Sequence, residues 1–188
     1  MTDYDLIADD YEKYFDKESY ADEDLELSTM LPYPQGKSVL DIGCGTGLGY
    51  MLLNRRALVS FNYFGIDPSR KMLEKFAHKT VKAVECEQTT FEEFETDRKF
   101  DIAISTYGSI SYVEPNSIVK LKHLLKAGGR FFLVFYQDDY IPITHRVFKD
   151  VVQMSNYGFQ EYRPYLVEIS KDLRLRVWHN YIIAEGTV

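Results

Sequence analysis

The chain is poor in cysteine and tryptophan and contains no long hydrophobic run; of its 188 residues only two are cysteine and one is tryptophan. Cys44 and Cys86 are too few and too far apart for a disulfide framework or a metal knuckle, so we expect two reduced thiols and no metal. No segment approaches the roughly 18 consecutive apolar residues of a membrane span. The acidic N-terminus lacks the basic start and the apolar stretch of a secretory signal. These absences favour a cytoplasmic protein without a membrane role.

The chain also lacks an excess of basic residues, and its formal net charge is -7. Residues 1–28 contain 11 acidic and 2 basic side chains, whereas the rest contains 18 acidic and 20 basic ones. Proteins that neutralise phosphates usually present a basic face, so nucleic acid is disfavoured as a substrate. The acidic segment is interpreted as a solvated helix face, and selection of cationic substrates is the alternative. Nothing in the sequence indicates an oligomeric state.

What the chain does have is an alternation of strand-like apolar runs with helical periodicity, which predicts an α/β sheet. The predicted parallel strands are residues 38–42, 61–66, 82–86, 100–105 and 130–136. The predicted helices are residues 4–15, 25–31, 48–56, 69–78, 117–125 and 145–154. Residues 162–170 and 173–184 are β-rich and predict a C-terminal antiparallel hairpin that turns at Lys171 and Asp172. The expected fold is therefore a doubly wound, mostly parallel sheet of seven strands.

The strongest functional signal is VLDIGCGTGLG at residues 39–49, where a predicted strand runs directly into Gly43, Gly45 and Gly47. Glycines let the chain turn tightly and present amide N–H groups to a ligand at the start of the next helix. The dinucleotide fingerprint G-x-G-x-x-G is not met, because leucine or tyrosine stands where its last glycine belongs. Asp41 adds a negative charge, which suits a cationic amino group better than a phosphate.

Asp67, twenty residues after Gly47, ends the second predicted strand in the segment FGIDPSRKML. An acidic side chain at this strand end is positioned to accept hydrogen bonds from ribose hydroxyls. The alternative is a helix cap, with Pro68 at the first helical position, although Ser69 is also suited to cap that helix. Together with the glycine loop, Asp67 predicts a nucleoside that carries an amino acid.

The segments VLDIGCGTG, FGIDPSRKML, FDIAISTYGSISYV and LLKAGGRFFLVFY resemble the successive motifs of class I, Rossmann-like S-adenosylmethionine-dependent methyltransferases. The N-terminal YDLIADDY also resembles the helix that precedes the core in small-molecule members of that family. The resemblance covers nearly the whole chain. It implies that S-adenosylmethionine is the cofactor and S-adenosylhomocysteine the product.

The resemblance implies one domain over residues 1–188, organised in three parts. Residues 1–35 are expected to form a helical lid, from which Tyr11 closes over the cofactor. Residues 36–136 correspond to the cofactor-binding βαβ core. Residues 137–188 correspond to a substrate-side helix and the C-terminal hairpin.

The resemblance also implies which residues contact the cofactor. These residues are Tyr11, Asp41, Gly43, Cys44, Gly45, Asp67, Pro68, Met72, Glu87, Gln88, Thr106 and Tyr107. Asp41 and the loop glycines correspond to positions near the methionine moiety, and Met72 corresponds to a position against adenine. Glu87 with its neighbour is expected to face adenine, and Glu85 takes that place in another register. Cys44 is expected to fill space within the loop, not to act as a nucleophile.

The methyl acceptor is constrained by the segment after the fourth strand. Amino-methyltransferases of nucleic acids carry an Asn/Asp-Pro-Pro-aromatic motif there, whereas this chain has Ser105, Thr106, Tyr107 and Gly108. The segment GSISYV is closer to small-molecule N- and O-methyltransferases, which favours a small amine or hydroxyl acceptor. A protein or peptide methyltransferase and a non-catalytic cofactor-binding accessory protein are the alternatives.

Methyl transfer from a sulfonium requires alignment and exclusion of water, and no metal is needed. A hydroxyl acceptor also needs a general base within hydrogen-bond reach. The candidate catalytic residues are Tyr107, Tyr112 and His145; Tyr112 stands where many family members have histidine. Several tyrosines are expected to meet at the carboxyl edge of the sheet, where they would hold a cation or an aromatic ring. These tyrosines are Tyr4, Tyr11, Tyr107, Tyr112, Tyr136 and Tyr140.

Overall fold

The computed structural model describes residues 2–15, 18–80 and 84–188. Its helices are α1 (Asp3–Phe15), α2 (Glu18–Met30), α3 (Leu48–Arg56), α4 (Arg70–Lys79), α5 (Leu121–Leu124), α6 (Ile143–Val147) and α7 (Phe159–Ile169). Its strands are β1 (Ser38–Ile42), β2 (Asn62–Asp67), β3 (Glu85–Gln88), β4 (Phe100–Ser105), β5 (Leu125–Tyr136), β6 (Arg174–Trp178) and β7 (Tyr181–Thr187). Two 3-10 helices, Ser109–Tyr112 and Pro115–Lys120, lie between β4 and α5.

The seven strands form one sheet in the order β3-β2-β1-β4-β5-β7-β6. Strands β1 to β5 pair in parallel, whereas β7 pairs antiparallel with both β5 and β6. The chain winds outward from β1 in both directions, so the sheet has its topological switch point between β1 and β4. Ligands of such sheets bind outside the carboxyl ends of the strands at this point. The predicted fold, a mostly parallel seven-stranded sheet with a C-terminal antiparallel hairpin, is confirmed.

The core covers both faces of the sheet. Successive side chains of a strand point to opposite faces, and in β1 Val39 and Leu40 belong to different apolar clusters. The cluster on the Leu40 side includes Leu166 of α7, and the cluster on the Val39 side includes Leu27 of α2 and Leu52 of α3. Strands that are buried on both faces are held rigidly, so the loops at their carboxyl ends are well positioned for a site.

The prediction of a strand at residues 162–170 is wrong, because this segment forms most of α7. The buried residues of α7 are Phe159, Tyr162, Leu166 and Ile169, whose spacing of three or four residues places them on one helix face. The aromatic and β-branched residues of the segment favoured a strand locally. Packing of the helical face against the sheet outweighs that weak preference.

The C-terminal hairpin therefore lies entirely within residues 174–187. Strands β6 and β7 are joined by His179 and Asn180, and His179 adopts a left-handed conformation with φ of 50°. The predicted turn residues Lys171 and Asp172 instead connect α7 to β6. The predicted number of strands is nevertheless correct, because the segment predicted as a single strand at residues 173–184 contributes to two strands, β6 and β7.

Several other predicted boundaries differ from the structure. Strand β3 begins at Glu85, and residues 82 and 83 of the predicted strand 82–86 lie outside the described residues. The predicted helix 117–125 consists of a 3-10 helix followed by α5, and of the predicted helix 145–154 only the first residues fall within α6. Across the described ranges, no helix combines the length and apolar character needed to cross a membrane.

Candidate active site

A cleft of about 760 Å³ lies at the carboxyl edge of the sheet. The loop after β1 and the ends of β2, β4 and β5 form its floor, and α1 and α2 contribute to its walls. Ligand pockets in proteins commonly measure about 300 to 1,000 Å³. The cleft is therefore large enough for a nucleotide-sized ligand, and it lies at the switch point of the sheet.

Most of the predicted site residues line this cleft. They are Tyr11, Gly43, Cys44, Gly45, Asp67, Pro68, Met72, Thr106, Tyr107 and Tyr112. Four other predicted residues are not part of its lining, namely Asp41, Glu87, Gln88 and His145. Asp41 and His145 lie behind residues that do line it, as described below.

The glycine loop forms an open turn beside the cleft. Gly43 and Gly45 have positive φ angles of 70° and 52°, a conformation that side-chain-bearing residues rarely adopt. The backbone N–H groups of Gly43 and Cys44 both donate to the carbonyl oxygen of Ile66, at 2.9 and 3.0 Å, and fasten the loop to β2. A Cβ atom on Gly45 would have no neighbour within 4 Å, so this part of the loop faces open space.

Asp67 connects the glycine loop with the start of α4. Its Oδ2 accepts a hydrogen bond from the N–H of Gly45 at 2.9 Å, and its Oδ1 accepts one from the N–H of Ser69 at 2.8 Å. Ser69 itself caps α4, because its Oγ accepts from the N–H of Met72 at 3.2 Å. Burial raises the pKa of Asp67 to about 6, although the two backbone hydrogen bonds lower it. Asp67 thus lies at the cleft surface, while a different residue caps the helix.

Asp41 lies beneath the loop and is completely buried. Its Oδ2 accepts a hydrogen bond from the hydroxyl of Tyr63 at 2.6 Å, and within the described residues its Oδ1 has no hydrogen-bond partner. Burial raises the pKa of Asp41 to about 7; the Tyr63 hydrogen bond lowers it and the charge of Asp67 raises it. A buried, half-satisfied carboxyl group favours its neutral form. Sequence analysis missed Tyr63, since a strand tyrosine 22 residues away carries no local signal.

The buried carboxyl group of Asp41 predicts a specific dependence of stability on pH. Its pKa is about 7 in the folded chain and 3.8 ordinarily, so the folded state binds more protons between these values. The free energy of unfolding contributed by Asp41 therefore falls as pH rises from about 4 to 7, by about 1.4 kcal/mol per pH unit at most. We expect Asp41→Asn to remove this decline, as measured by urea unfolding between pH 5 and 8.

Asp101→Asn is the matched control for this measurement. Hydrogen bonds from Lys126 and Ser38 lower the pKa of Asp101 to about 2, so its carboxyl group stays ionised throughout pH 5 to 8. Its replacement should lower stability without changing the pH slope in that range. An Asp41→Asn variant with the slope of the unmodified chain would contradict the assignment of the slope to Asp41.

Helix α1 is attached across the cleft by two acidic residues at its start. The Oδ1 of Asp5 accepts hydrogen bonds from the Ser69 hydroxyl at 2.7 Å and the Lys71 N–H at 3.1 Å. Burial acts to raise the pKa of Asp5, but these hydrogen bonds together with those from Thr2 lower it overall. On the other side of the cleft, Asp3 accepts from the N–H groups of Gln153 and Met154. Helix α1 therefore spans from α4 to the segment after α6.

Two of the candidate catalytic residues are in contact. The hydroxyl of Tyr112 lies 2.8 Å from Nε2 of His145. Tyr112 lines the cleft, whereas His145 supports it from the side of α6. Burial raises the pKa of Tyr112 and lowers the pKa of His145, which keeps both groups neutral near pH 7. The pair can orient a substrate by hydrogen bonding, but the imidazole nitrogen facing Tyr112 is already occupied.

The third candidate, Tyr107, is held by α2. It has a positive φ of 50°, and its hydroxyl donates to Oδ1 of Asp24 at 2.6 Å. Burial raises the pKa of Tyr107 far above its usual range, and the hydrogen bond to Asp24 adds to this effect. Tyr107 is therefore a neutral phenol and lacks the basicity to accept a proton from substrate near neutral pH.

Two groups of cleft residues were not predicted from the sequence. Tyr20, Glu23 and Asp24 reach the cleft from α2, whose acidic residues were interpreted as a solvated helix face. Residues 89–92 follow β3 and line the cleft where Glu87 was expected to do so. The predicted third strand ended two residues too early, and a correct end at Gln88 would have identified the residues that follow it.

The residues present fit S-adenosylmethionine. The open turn at Gly45 offers space for a ligand against the backbone, and Asp67 presents an ionisable carboxyl group where a ribose would lie. The carboxyl group of Asp67 gives this end of the cleft an acidic group that suits a cationic cofactor. Apolar surface for the adenine ring is available from Met72 and Phe91.

Comparison with known proteins gives relatives in sequence. Residues 39–129 match the family described as "Methyltransferase domain". The uncharacterized protein MJ1252 of Methanocaldococcus jannaschii is 30% identical over 129 residues, which are 68% of this chain and 48% of that protein. An uncharacterized methyltransferase of Bacillus cereus is 30% identical over 127 residues, 66% of this chain and 57% of its own length. The chain thus spans about half the length of the curated relatives it matches.

Comparison with solved structures gives relatives in fold over the whole chain. A chain from the complex of the Haloferax volcanii Trm112 methyltransferase activator with a methyltransferase has a TM-score of 0.74 and 17% identity, covering 100% of this chain and 98% of that one. DhpI, solved with S-adenosylhomocysteine, has a TM-score of 0.71 and 17% identity, covering 97% and 91%. DesVI of Streptomyces venezuelae has a TM-score of 0.68 and 16% identity, covering 96% and 98%. These structures share the fold described above.

Proposed function

Because this chain belongs to the class I, Rossmann-like S-adenosylmethionine-dependent methyltransferases, we propose that it transfers a methyl group from S-adenosylmethionine to a small-molecule amine or hydroxyl. The observation that carries this proposal is the continuity of the cleft. The same cavity joins the glycine loop and Asp67 to a tyrosine-rich end, and α1 spans it. A cavity bounded in this way suits a small acceptor better than an extended chain.

The proposed cofactor site uses the loop end of the cleft. Gly43 and Gly45 lie against the methionine portion, Asp67 binds the ribose hydroxyls, and Met72 packs against adenine. Asp41 is buried, bonds to Tyr63 and lies outside the cleft lining, so its proposed contribution to the cofactor site is indirect. Residues 89–92 line the cleft, whereas Glu87 and Gln88 do not, which supports the proposal that residues 89–92 contact adenine in their place.

When bound, S-adenosylmethionine supplies a methyl group activated by a positively charged sulfur. The residues of the chain align the acceptor with that methyl group and exclude water, which are the main contributions available to a displacement of this kind. Tyr112, fixed by His145, is positioned to hydrogen-bond the acceptor. Helix α1 covers the reacting groups with Tyr4 and Tyr11.

Incubation with labelled S-adenosylmethionine tests this function directly. The full chain is mixed with fractionated metabolite extracts, and the transfer of labelled methyl to low-molecular-weight products is measured. We expect label in small molecules. Label recovered only in protein would instead support a protein or peptide acceptor, which the likeness to a chain solved with the Trm112 activator keeps as the second candidate. Binding of S-adenosylhomocysteine without any transfer would support a non-catalytic accessory protein.

Replacement of Asp67 tests the cofactor site separately. Asp67→Ala should weaken S-adenosylhomocysteine binding by about 1 to 3 kcal/mol through lost hydrogen bonds to a charged group, about 5- to 150-fold in Kd by calorimetry. Asp67→Asn retains one oxygen that can accept from Gly45 or Ser69 and should lose less. Asp101 lies near the start of β4 and outside the cleft lining, so Asp101→Asn should leave the affinity unchanged. Equal affinity in Asp67→Ala and the unmodified chain would remove Asp67 from the site.

A further inference from the structure

The acceptor end of the cleft is enclosed by a continuous set of tyrosine rings. Tyr136 is at the centre of this set, with its ring centroid 5.5 Å from that of Tyr140 and 5.6 Å from that of Tyr181. The ring centroids of Tyr181 and Tyr107 are 5.7 Å apart, and those of Tyr136 and Tyr112 are 6.1 Å apart. We refer to these five residues as the tyrosine wall. All five line the cleft at the ends of β4 and β5 and at the start of β7.

The tyrosine wall consists of neutral phenols. Burial is the largest cause that raises the pKa of Tyr107, Tyr112, Tyr136 and Tyr181. Their rings therefore present electron-rich faces without a negative charge of their own. Faces of this kind attract cations, most strongly where water is excluded.

Two carboxylates of α2 lie beside the tyrosine wall. Glu23 and Asp24 both line the cleft, and Asp24 accepts the hydroxyl hydrogen bond of Tyr107. Within the described part of the chain, neither carboxylate has an ion-pair partner. Arg146 also lines the cleft, and its guanidinium carbon is 6.0 Å from the ring centroid of Tyr140. Across the described lining of the whole cleft, four acidic residues (Glu23, Asp24, Asp67 and Glu92) stand against three basic ones (Arg55, Lys79 and Arg146).

The imidazole of His145 is not available to the acceptor as a free general base. His145 lies outside the cleft lining, and the nitrogen it directs toward the cleft is bonded to Tyr112. A hydroxyl acceptor needs such a base, whereas an amine attacks once it has lost its proton to water. The electron-rich rings and the cleft-lining carboxylates Glu23 and Asp24 both favour a cationic ligand at this end of the cleft.

Resting on the function proposed above, we propose that the acceptor is an aliphatic amine, and that the tyrosine wall with Glu23 and Asp24 binds its cationic, methylated form. The nitrogen lone pair forms the new N–C bond, the C–S bond breaks, and its electron pair returns to sulfur as a neutral thioether. The positive charge moves from sulfur to nitrogen and stays beside the same rings and carboxylates. If the product nitrogen carries a hydrogen, that proton is released to water.

A pair of isosteric probes tests the cation site in the full chain saturated with S-adenosylhomocysteine. Choline and 3,3-dimethylbutan-1-ol have the same shape and differ by the positive charge on the central atom of the trimethyl group. Calorimetry should give at least a tenfold tighter Kd for choline. Choline that binds no tighter than the alcohol, including the case where neither binds, overturns the inference.

Variants assign the effect to the named residues. Glu23→Gln should weaken choline binding at least fivefold, whereas Asp22→Asn removes the same charge from an exposed position of α2 outside the cleft lining and should have no effect. Tyr140→Leu should weaken choline binding, whereas Tyr140→Phe, which keeps the aromatic ring face, should bind choline as the unmodified chain does. Equal effects of Glu23→Gln and Asp22→Asn would contradict the site.

This test and the test of the proposed function fail separately. Loss of choline preference with normal S-adenosylhomocysteine binding overturns the amine acceptor alone. Absence of S-adenosylhomocysteine binding overturns the proposed function. In that case, titration of choline into the ligand-free chain still tests the cation site. In the labelled-methyl screen, an amine product is expected; a methyl ether or ester overturns the inference.

Discussion

Replacement of Gly47 with alanine is expected to destabilise the protein more than any other single glycine substitution in the loop. Gly47 has a φ of 89°, and an added Cβ would lie 2.1 Å from a ring carbon of Phe76, a residue of α4 that is buried with Cys44 and with Tyr63 of β2. A left-handed residue with a side chain costs about 1 to 2 kcal/mol, and overpacking a rigid core costs about 1 to 3 kcal/mol more. We expect the free energy of unfolding to fall by about 2 to 5 kcal/mol in urea titrations.

Gly36→Ala is the control for Gly47→Ala. Gly36 also has a positive φ, 65°, but an added Cβ there would have no neighbour within 4 Å. It should therefore show the backbone cost of about 1 to 2 kcal/mol without the overlap. Gly45→Ala should resemble Gly36→Ala in stability and differ by weakening S-adenosylhomocysteine binding, since its Cβ enters the proposed site. Equal stability of Gly47→Ala and Gly36→Ala would show that Phe76 moves aside without cost.

The second large effect is expected from removal of α1 alone. Deletion of residues 2–15 removes Tyr4 and Tyr11 from the cleft and exposes Met72 to solvent, but it leaves the two large apolar clusters on the sheet intact. We expect S-adenosylhomocysteine affinity to fall at least about tenfold, about 1.4 kcal/mol. Methyl transfer to the acceptor should fall by about 100-fold or more, because alignment and water exclusion are lost together.

A longer deletion is expected to have a different consequence. Removal of residues 2–28 also removes Leu27, which is completely buried and packs with Leu52 and Val39. Loss of a buried leucine costs about 2 to 5 kcal/mol, so this variant should unfold or aggregate. Thermal unfolding distinguishes the two deletions. Equal unfolding temperatures would mean that α2, like α1, covers the cleft without contributing to the core.

Point variants separate docking of α1 from its folding. Asp5→Ala removes the hydrogen bonds to Ser69 and Lys71, and it should reduce S-adenosylhomocysteine affinity in the same direction as the deletion. Asp10→Ala removes an exposed carboxylate of the same helix that pairs with Lys13, and it should leave affinity unchanged. If both variants bind S-adenosylhomocysteine equally well, the hydrogen bonds of Asp5 do not hold α1 in place over the cleft.

Much of the fold was predictable because its determinants are local. Apolar runs such as residues 130–136 identify strands buried on both faces, and glycines between a strand and a helix identify the turn that a ligand approaches. The errors occurred where local preference and tertiary packing disagree. Residues 162–170 have strand-like composition, yet the sheet offers a surface that the spaced apolar face of a helix covers.

The site was predictable where it follows a strand end and was missed where it depends on contacts across the chain. Cys44 and Asp67 lie at the ends of β1 and β2, and parallel strands bring such positions to one edge. The partnership of Tyr107 with Asp24 spans 83 residues, and that of Tyr112 with His145 spans 33. No periodicity in the sequence encodes these distances, because they depend on how α2 and α6 pack against the sheet.

The sheet, the glycine turn and the acidic strand end, and with them the cofactor, could be predicted from the sequence, because strand burial and glycine conformations are properties of short segments. The position of Asp41 beneath the loop and the contact between the acidic face of α2 and the tyrosine wall follow from tertiary packing. Both outcomes depend on desolvation and on contacts between distant segments, which exist only when the helices are packed. The charge that composition assigned to a solvated helix thereby becomes part of the proposed acceptor site.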